Sequence, residues 1–196
     1  MAKKKNFIIT ISGTPGSGKS TVAKNITSIF NAQRVYIGGL WRDIAKEKNM
    51  TLEELNKYVM DNPQADIDMD KKIAKEARQL VKKSIVIVEG RVQFLFLPES
   101  VKIFIKANPE EAAKRVWQEI QNPKNKKERN EANITSLAEL KTNQKERASN
   151  DIIRYKKIYH IDYTNESQYD FILDTSNISA EEATRKVTDF IDKTAK

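Results

Sequence analysis

The feature that most constrains this chain is a short stretch near its start. Gly13-Thr14-Pro15-Gly16-Ser17-Gly18-Lys19-Ser20 matches G-x-x-x-x-G-K-[ST], between an apolar run, Phe7 to Ser12, and a helix-compatible run that begins at Thr21. Glycines at these spacings let the backbone curl until successive N–H groups point inward, and the helix that follows adds positive potential at its N-terminus. Such a loop cradles phosphates. Lys19 is then placed to reach the β and γ phosphates as a point charge, and the Ser20 hydroxyl to ligate Mg2+. Residues Gly13 to Thr21 are therefore the expected nucleoside triphosphate site, and ATP with Mg2+ the expected ligands.

A strand, loop and helix in this order belong to alternating α/β architecture, and the rest of the chain continues the alternation. Five runs rich in β-branched and aromatic residues recur with helical stretches between them: Phe7 to Ser12, Arg34 to Ile37, Ile85 to Glu89, Val101 to Lys106 and Tyr169 to Asp174. Several are continuously apolar, as Ile85 to Val88 is, which suits strands buried on both faces of a parallel sheet. The fold class expected is thus α/β, a three-layer P-loop fold with a five-stranded parallel sheet flanked by helices. Helix starts are marked by capping boxes, Thr51 with Glu54 and Ser179 with Glu182, and by Asn108-Pro109-Glu110-Glu111. At 196 residues the chain reads as one domain, residues 1–196, with 1–6 as a disordered tail.

Composition bears on partners. Cysteine is absent, which excludes a disulfide scaffold and thiolate metal sites, and His160 is the only histidine, so no His-based triad can be built. No run approaches the ~20 apolar residues of a membrane span. A cytoplasmic monomer is expected. The formal charge is +8, and its excess lies in residues 122–157 and the tail lysines 3–5, the remainder being balanced. Local compensation for phosphorylated small molecules explains that pattern without nucleic acid. A P-loop nucleic-acid-binding or regulatory protein, or a degenerate fold that only binds nucleotide, remain the competing classes.

The loop leaves the destination of the phosphoryl group open, and the arginines bear on it. An acceptor that is itself a phosphate brings about −2 charge at pH 7, because its second pKa is near 6. It needs several cations and no general base. Arg42 follows the second strand through Gly38-Gly39-Leu40-Trp41, and Arg91 follows the third in Glu89-Gly90-Arg91. Both stand at strand ends, where doubly wound sheets bind ligands. Glu89 is a candidate to hold a Mg2+ water. Further on, Arg147, Asp151 and Arg154 share one helix face at i, i+4, i+7 and border an apolar stripe of Leu137, Leu140, Ala148, Ile152, Tyr155 and Tyr159. Asp66, Asp68 and Asp70 read as acids at the start of a helix running to Lys83, favoured there by its dipole, with hydrogen bonding on the acceptor side as the alternative.

These pieces together resemble the cytidylate kinase family of the nucleoside monophosphate kinases. The likeness runs through the loop, Gly38 to Arg42, Val88 to Arg91, Leu97-Pro98, Val101 to Phe104, Ala113-Lys114-Arg115, Glu146-Arg147 with Asp151 and Arg154, and Asp174-Thr175-Ser176. The absence of a large insert near residues 55–80 makes it most similar to the short, archaeal-type members. The resemblance implies that Arg42, Arg91 and Arg154 hold the acceptor monophosphate and that Arg147 and Asp151 serve its ribose. It also implies that Lys19, Arg147 and Arg154 assist transfer, that residues 38–83 form the acceptor segment, and that 122–136 form a lid. Gly38 stands where bacterial members carry a serine, and Val92 where they carry an aspartate. The implied acceptor is CMP or dCMP, with UMP or AMP as alternatives.

Overall fold

The structure is a computed structural model that describes residues 6–122, 125 and 134–194. Five parallel strands form one sheet in the order β2-β3-β1-β4-β5, with β1 Ile8–Gly13, β2 Gln33–Tyr36, β3 Val86–Glu89, β4 Val101–Lys106 and β5 Phe171–Asp174. Every pairing is parallel, so all five carboxyl ends lie along one edge. Strand β1 sits between β3 and β4, where the strand order reverses, and this is where such sheets open a crevice.

The side-chain period of a strand divides the core between the faces. Ile9, Ile11, Ile87, Ile103 and Ile105 pack with Val22 and Ile26 of α1 (Lys19–Ile29) and with Ala183, Val187 and Ile191 of the last helix. Ile8, Val35, Val86 and Val88 face the other way, onto Ile73, Ala74 and Ala77 of a helix in the middle of the chain. Beside that layer Phe104, Tyr155, Tyr163 and Tyr169 make an aromatic cluster. Both faces are therefore dry, as the unbroken apolar runs require.

Between β2 and β3 the chain forms α2 (Ile37–Glu47), α3 (Leu52–Asp61) and α4 (Pro63–Leu80). The capping box at Thr51 and Glu54 is present with both its hydrogen bonds. Helix α4 starts earlier than its acids suggest, with Pro63 at its first position, and ends at Leu80 instead of Lys83. After β3 come α5 (Gln93–Phe96), β4, α6 (Pro109–Ile120), α7 (Leu137–Tyr159), a 3-10 turn (Glu166–Gln168), β5 and α8 (Ala180–Thr194). Asn108 caps α6 and the Ser179 hydroxyl accepts from Glu182 N–H at the start of α8, as the sequence signals predict.

One local expectation changes. The second strand, expected over Arg34 to Ile37, runs over Gln33–Tyr36, and α2 begins at Ile37 with Gly38 and Gly39 in its first turn. The Tyr36 ring lies so close to this turn that a Cβ at Gly39 would stand 2.7 Å from its Cδ1. His160 ends α7 in the left-handed conformation, with φ 57°. Trp41 and Trp117 pack against separate apolar clusters, as packing anchors should. The tail expected at 1–6 lies outside the described residues apart from Asn6, and most of the expected lid, with Lys124, Lys126, Lys127 and Arg129, also lies outside them.

Candidate active site

The phosphate loop leaves the carboxyl end of β1 and enters α1. Gly13 has φ 153°, and a Cβ there would meet the Ile105 carbonyl oxygen at 2.0 Å, so β1 can approach β4 this closely only with glycine. Gly16 and Gly18 take φ of 71° and 80° and turn the loop back onto the helix. The loop is pinned from outside by the Thr175 hydroxyl, which donates to the Ser17 carbonyl at 2.9 Å. Arg115 of α6 in turn donates to the Thr175 and Ser176 carbonyls at 2.6 and 3.1 Å. The Arg115 and Asp174-Thr175-Ser176 motifs thus meet here as a brace for the loop.

A cleft of about 590 Å³ opens over the loop, lined by Gly16 to Thr21, Arg42, Glu89, Arg91, Arg115, Arg147 and Arg154 among others. Every arginine singled out in the sequence lines it. Lys19 stands among these cations, and burial, helped by Arg91, Arg147 and Arg42 and opposed by Glu89, lowers its pKa to about 8. A lysine so placed gains most when a polyanion arrives. Until then the cleft holds positive charges together at a cost.

Ser20 and Glu89 meet at the end of β3. The Ser20 hydroxyl donates to Glu89 Oε1 at 2.5 Å, and Arg34 of β2 forms an ion pair with Oε2 of the same carboxylate, which is only 2% exposed. Arg34 also lies over the Tyr36 ring, 4.6 Å from its centroid. A hydroxyl and a carboxylate oxygen side by side at the phosphate loop are hard donors of the kind Mg2+ takes, with water and phosphate oxygens completing its shell. The residues present therefore fit that ion, although no group of three or more acidic or imidazole ligands occurs among the described residues.

On the other side, side chains from three helices line the opposite wall of the cleft. Arg42 Nη1 donates to the Tyr36 hydroxyl at 2.6 Å and to the Gly38 carbonyl at 3.0 Å. Asp151 of α7 pairs with Arg91 at 3.0 Å and with Arg154 at 3.1 Å, so one buried carboxylate sets the spacing of two guanidinium groups. Arg154, 7% exposed, also donates to the Tyr155 hydroxyl at 2.8 Å and approaches Asp66 of α4 at 3.5 Å. The Ser12 hydroxyl fixes the Arg91 carbonyl at 2.8 Å. Arg147 lines the cleft from the same face of α7.

Sequence reasoning missed part of this wall. Asp66 and Asp70 are buried and line the cleft, so the reading of them as helix-start acids gives way to the alternative of polar contacts in the cleft. Their i, i+4 spacing on one face was the available signal. Burial raises the pKa of both, that of Asp70 to about 7. Arg34, Tyr36 and Gln93 carried no motif at all, since their partners lie on other elements.

Three comparisons place this architecture. A family model described as an AAA domain matches residues 9–136. Among solved structures, a shikimate kinase from Bacteroides thetaiotaomicron superposes with TM-score 0.55 at 14% identity, covering 95% of this chain and 98% of that one. A thymidylate kinase from Candida albicans gives 0.54 at 14% identity, over 97% and 92%. These likenesses show the fold. Loop, cleft and fold together define an ATP-dependent phosphotransferase of the P-loop kinases. Curated relatives narrow it: a cytidylate kinase of Methanopyrus kandleri is 34% identical over 188 residues, 90% of this chain and 89% of its own length. A cytidylate kinase of Methanocaldococcus jannaschii is 34% identical over 195 residues, 97% and 100%. The chain belongs to the cytidylate kinase family. Among the described residues no helix is long and apolar enough to cross a membrane.

Proposed function

We propose that this enzyme transfers the γ-phosphoryl group of ATP to CMP or dCMP, giving ADP and the nucleoside diphosphate. The observation that carries the reading is the convergence of Arg42, Arg91 and Arg154, from three separate elements, on the cleft that also holds the phosphate loop. Hydrolysis needs no such second set of cations.

The acceptor phosphate is ionised near neutral pH, so an oxygen lone pair attacks the γ phosphorus directly while the bond to the β-γ bridging oxygen breaks. No proton has to be removed. Arg42, Arg91 and Arg154 hold the acceptor dianion, and Lys19 with Arg147 neutralises charge on the transferring group. Asp151 fixes two of these arginines in place, which gives it a role at the acceptor besides the ribose contact the family resemblance implies. Ser20 and Glu89 would hold Mg2+, which would supply positive charge to the triphosphate.

Arg34 orients the Glu89 carboxylate in this scheme. Arg34→Ala is expected to raise the Mg2+ concentration for half-maximal rate by about tenfold, the scale seen when a partner of a metal ligand is removed. Rate at saturating Mg2+ should be largely retained. A Mg2+ titration that superposes on the wild-type one would show that Arg34 does not act on the metal.

The reading is tested by measuring ADP release with ATP and a panel of CMP, dCMP, UMP and AMP. Acceptor-dependent turnover, greatest with CMP or dCMP, is expected. Preference for AMP would correct the substrate, and no acceptor-dependent turnover with any nucleotide would end the kinase assignment.

A further inference from the structure

Gln93 opens α5 two residues after Arg91, is 0% exposed, and lines the cleft beside Asp66 and Asp70. Its Nε2 donates to Asp70 Oδ1 at 2.6 Å, while the other carboxylate oxygen of Asp70 accepts from the Tyr159 hydroxyl at 2.6 Å. An ionised carboxylate can only accept, so the amide nitrogen must face it and the amide cannot turn over. The remaining polar atom, Gln93 Oε1, is buried and has no hydrogen-bond partner among the described residues. A buried carbonyl oxygen without a partner is costly unless something completes it.

We propose that Gln93, held by Asp70, reads the base of the acceptor by accepting a hydrogen bond from an exocyclic amino group. This rests on the nucleoside monophosphate reading above and supplies its base selectivity. Cytosine offers an N–H2 group where uracil offers a keto oxygen. A keto oxygen placed against Gln93 Oε1 would set acceptor against acceptor and leave both unpaired, and sites built around such a bond reject the wrong partner strongly. The selectivity thus comes from the one-way orientation of the amide, which Asp70 enforces and Tyr159 supports.

Asp70 faces Asp66 on α4, Gln93 on α5, and Tyr159 and Arg154 on α7. Below about 7 its carboxyl takes up a proton. It can then donate to Gln93 Oε1, letting the amide present Nε2 and accept a keto base. The ratio of kcat/KM for CMP to that for UMP should fall as pH drops through that value. Ionisation of the acceptor phosphate affects both nucleotides alike and cancels in the ratio.

The experiment is kcat/KM for CMP and UMP in the wild type, Gln93→Leu and Asp70→Asn, with calorimetric binding of each monophosphate to the same proteins. Gln93→Leu is expected to lower the CMP to UMP ratio about 100-fold, the loss a buried hydrogen bond of this kind carries. Asp70→Asn, close to isosteric, should lower the ratio mainly by raising use of UMP, because the freed amide can turn. Wild-type ratios kept in both variants, in turnover and in binding, would overturn the assignment of Gln93 while leaving the kinase reading intact. Absence of turnover in the wild type with every nucleotide would overturn both.

Discussion

Lys19→Met is expected to lower turnover by about 10²- to 10³-fold, the scale of losing one preorganised charge at a transferring group, while the ligand-free protein becomes more stable. The two halves of this result have one cause. Lys19 is held at about 8 by burial and by Arg91, Arg147 and Arg42 around it, against an ordinary value of 10.5. Its charged form is therefore a burden to the folded state until phosphate arrives. The sign follows from proton binding: between about 8 and 10.5 the unfolded chain binds more protons at this site than the folded one, so wild-type stability gains from this group as pH rises through that window. Below it the penalty is fully present, and methionine removes it. Thermal unfolding near neutral pH should show a higher Tm for the variant without nucleotide and a smaller shift on adding ATP. Near-normal turnover, or a lower Tm, would mean that Lys19 does not sit in a strained cluster of cations.

The second large effect is at Arg154. Arg154→Ala removes the cation that pairs with Asp151 at 3.1 Å and approaches Asp66 at 3.5 Å, in a region almost closed to solvent. Breaking a buried pair from one side costs about 3 to 5 kcal/mol, and since Asp151 keeps Arg91 the lower end is expected. The loss should be pH-dependent. Burial raises the pKa of Asp66 and Arg154 restrains that rise. Without the arginine the carboxyl moves further up, so the folded state holds its proton to higher pH than the unfolded chain does. The deficit in stability is then greatest once the carboxylate is ionised and shrinks as pH falls. In kinetics the variant should raise KM for the monophosphate by more than about tenfold, consistent with a lost charge-assisted bidentate contact, with little change in ATP binding. Equal losses for both nucleotides would contradict its place in the acceptor half.

What could be read in the sequence was what is local. The phosphate loop depends on glycines at fixed offsets, the strands on apolar runs, and the helix starts on Thr51, Asn108 and Ser179, so each was legible in a window of a few residues. The arginines were legible as strand-end residues or as a helix face, and the cleft gathers all of them. For Asp66 and Asp70 the helix-start reading was preferred over acceptor-side hydrogen bonding because nothing near them in the chain announces Arg154, Gln93 or Tyr159. The same holds for Arg34, whose place beside Glu89 exists only once β2 lies against β3. Gly38-Gly39 admit a tyrosine ring against the first turn of a helix, a packing role that no local pattern announces. The charge reading is refined as well: Arg147 and Arg154 come from the basic segment, but Arg42 and Arg91 come from the balanced part of the chain.

The central claim is that the second set of cations in the cleft receives a phosphorylated acceptor, so that the γ-phosphoryl group goes to a nucleotide and not to water. The most direct measurement follows the label from γ-labelled ATP in the presence and absence of CMP. The account predicts that label appears in CDP and that little inorganic phosphate forms without acceptor. Label released as inorganic phosphate at the same rate whether or not CMP is present would contradict it.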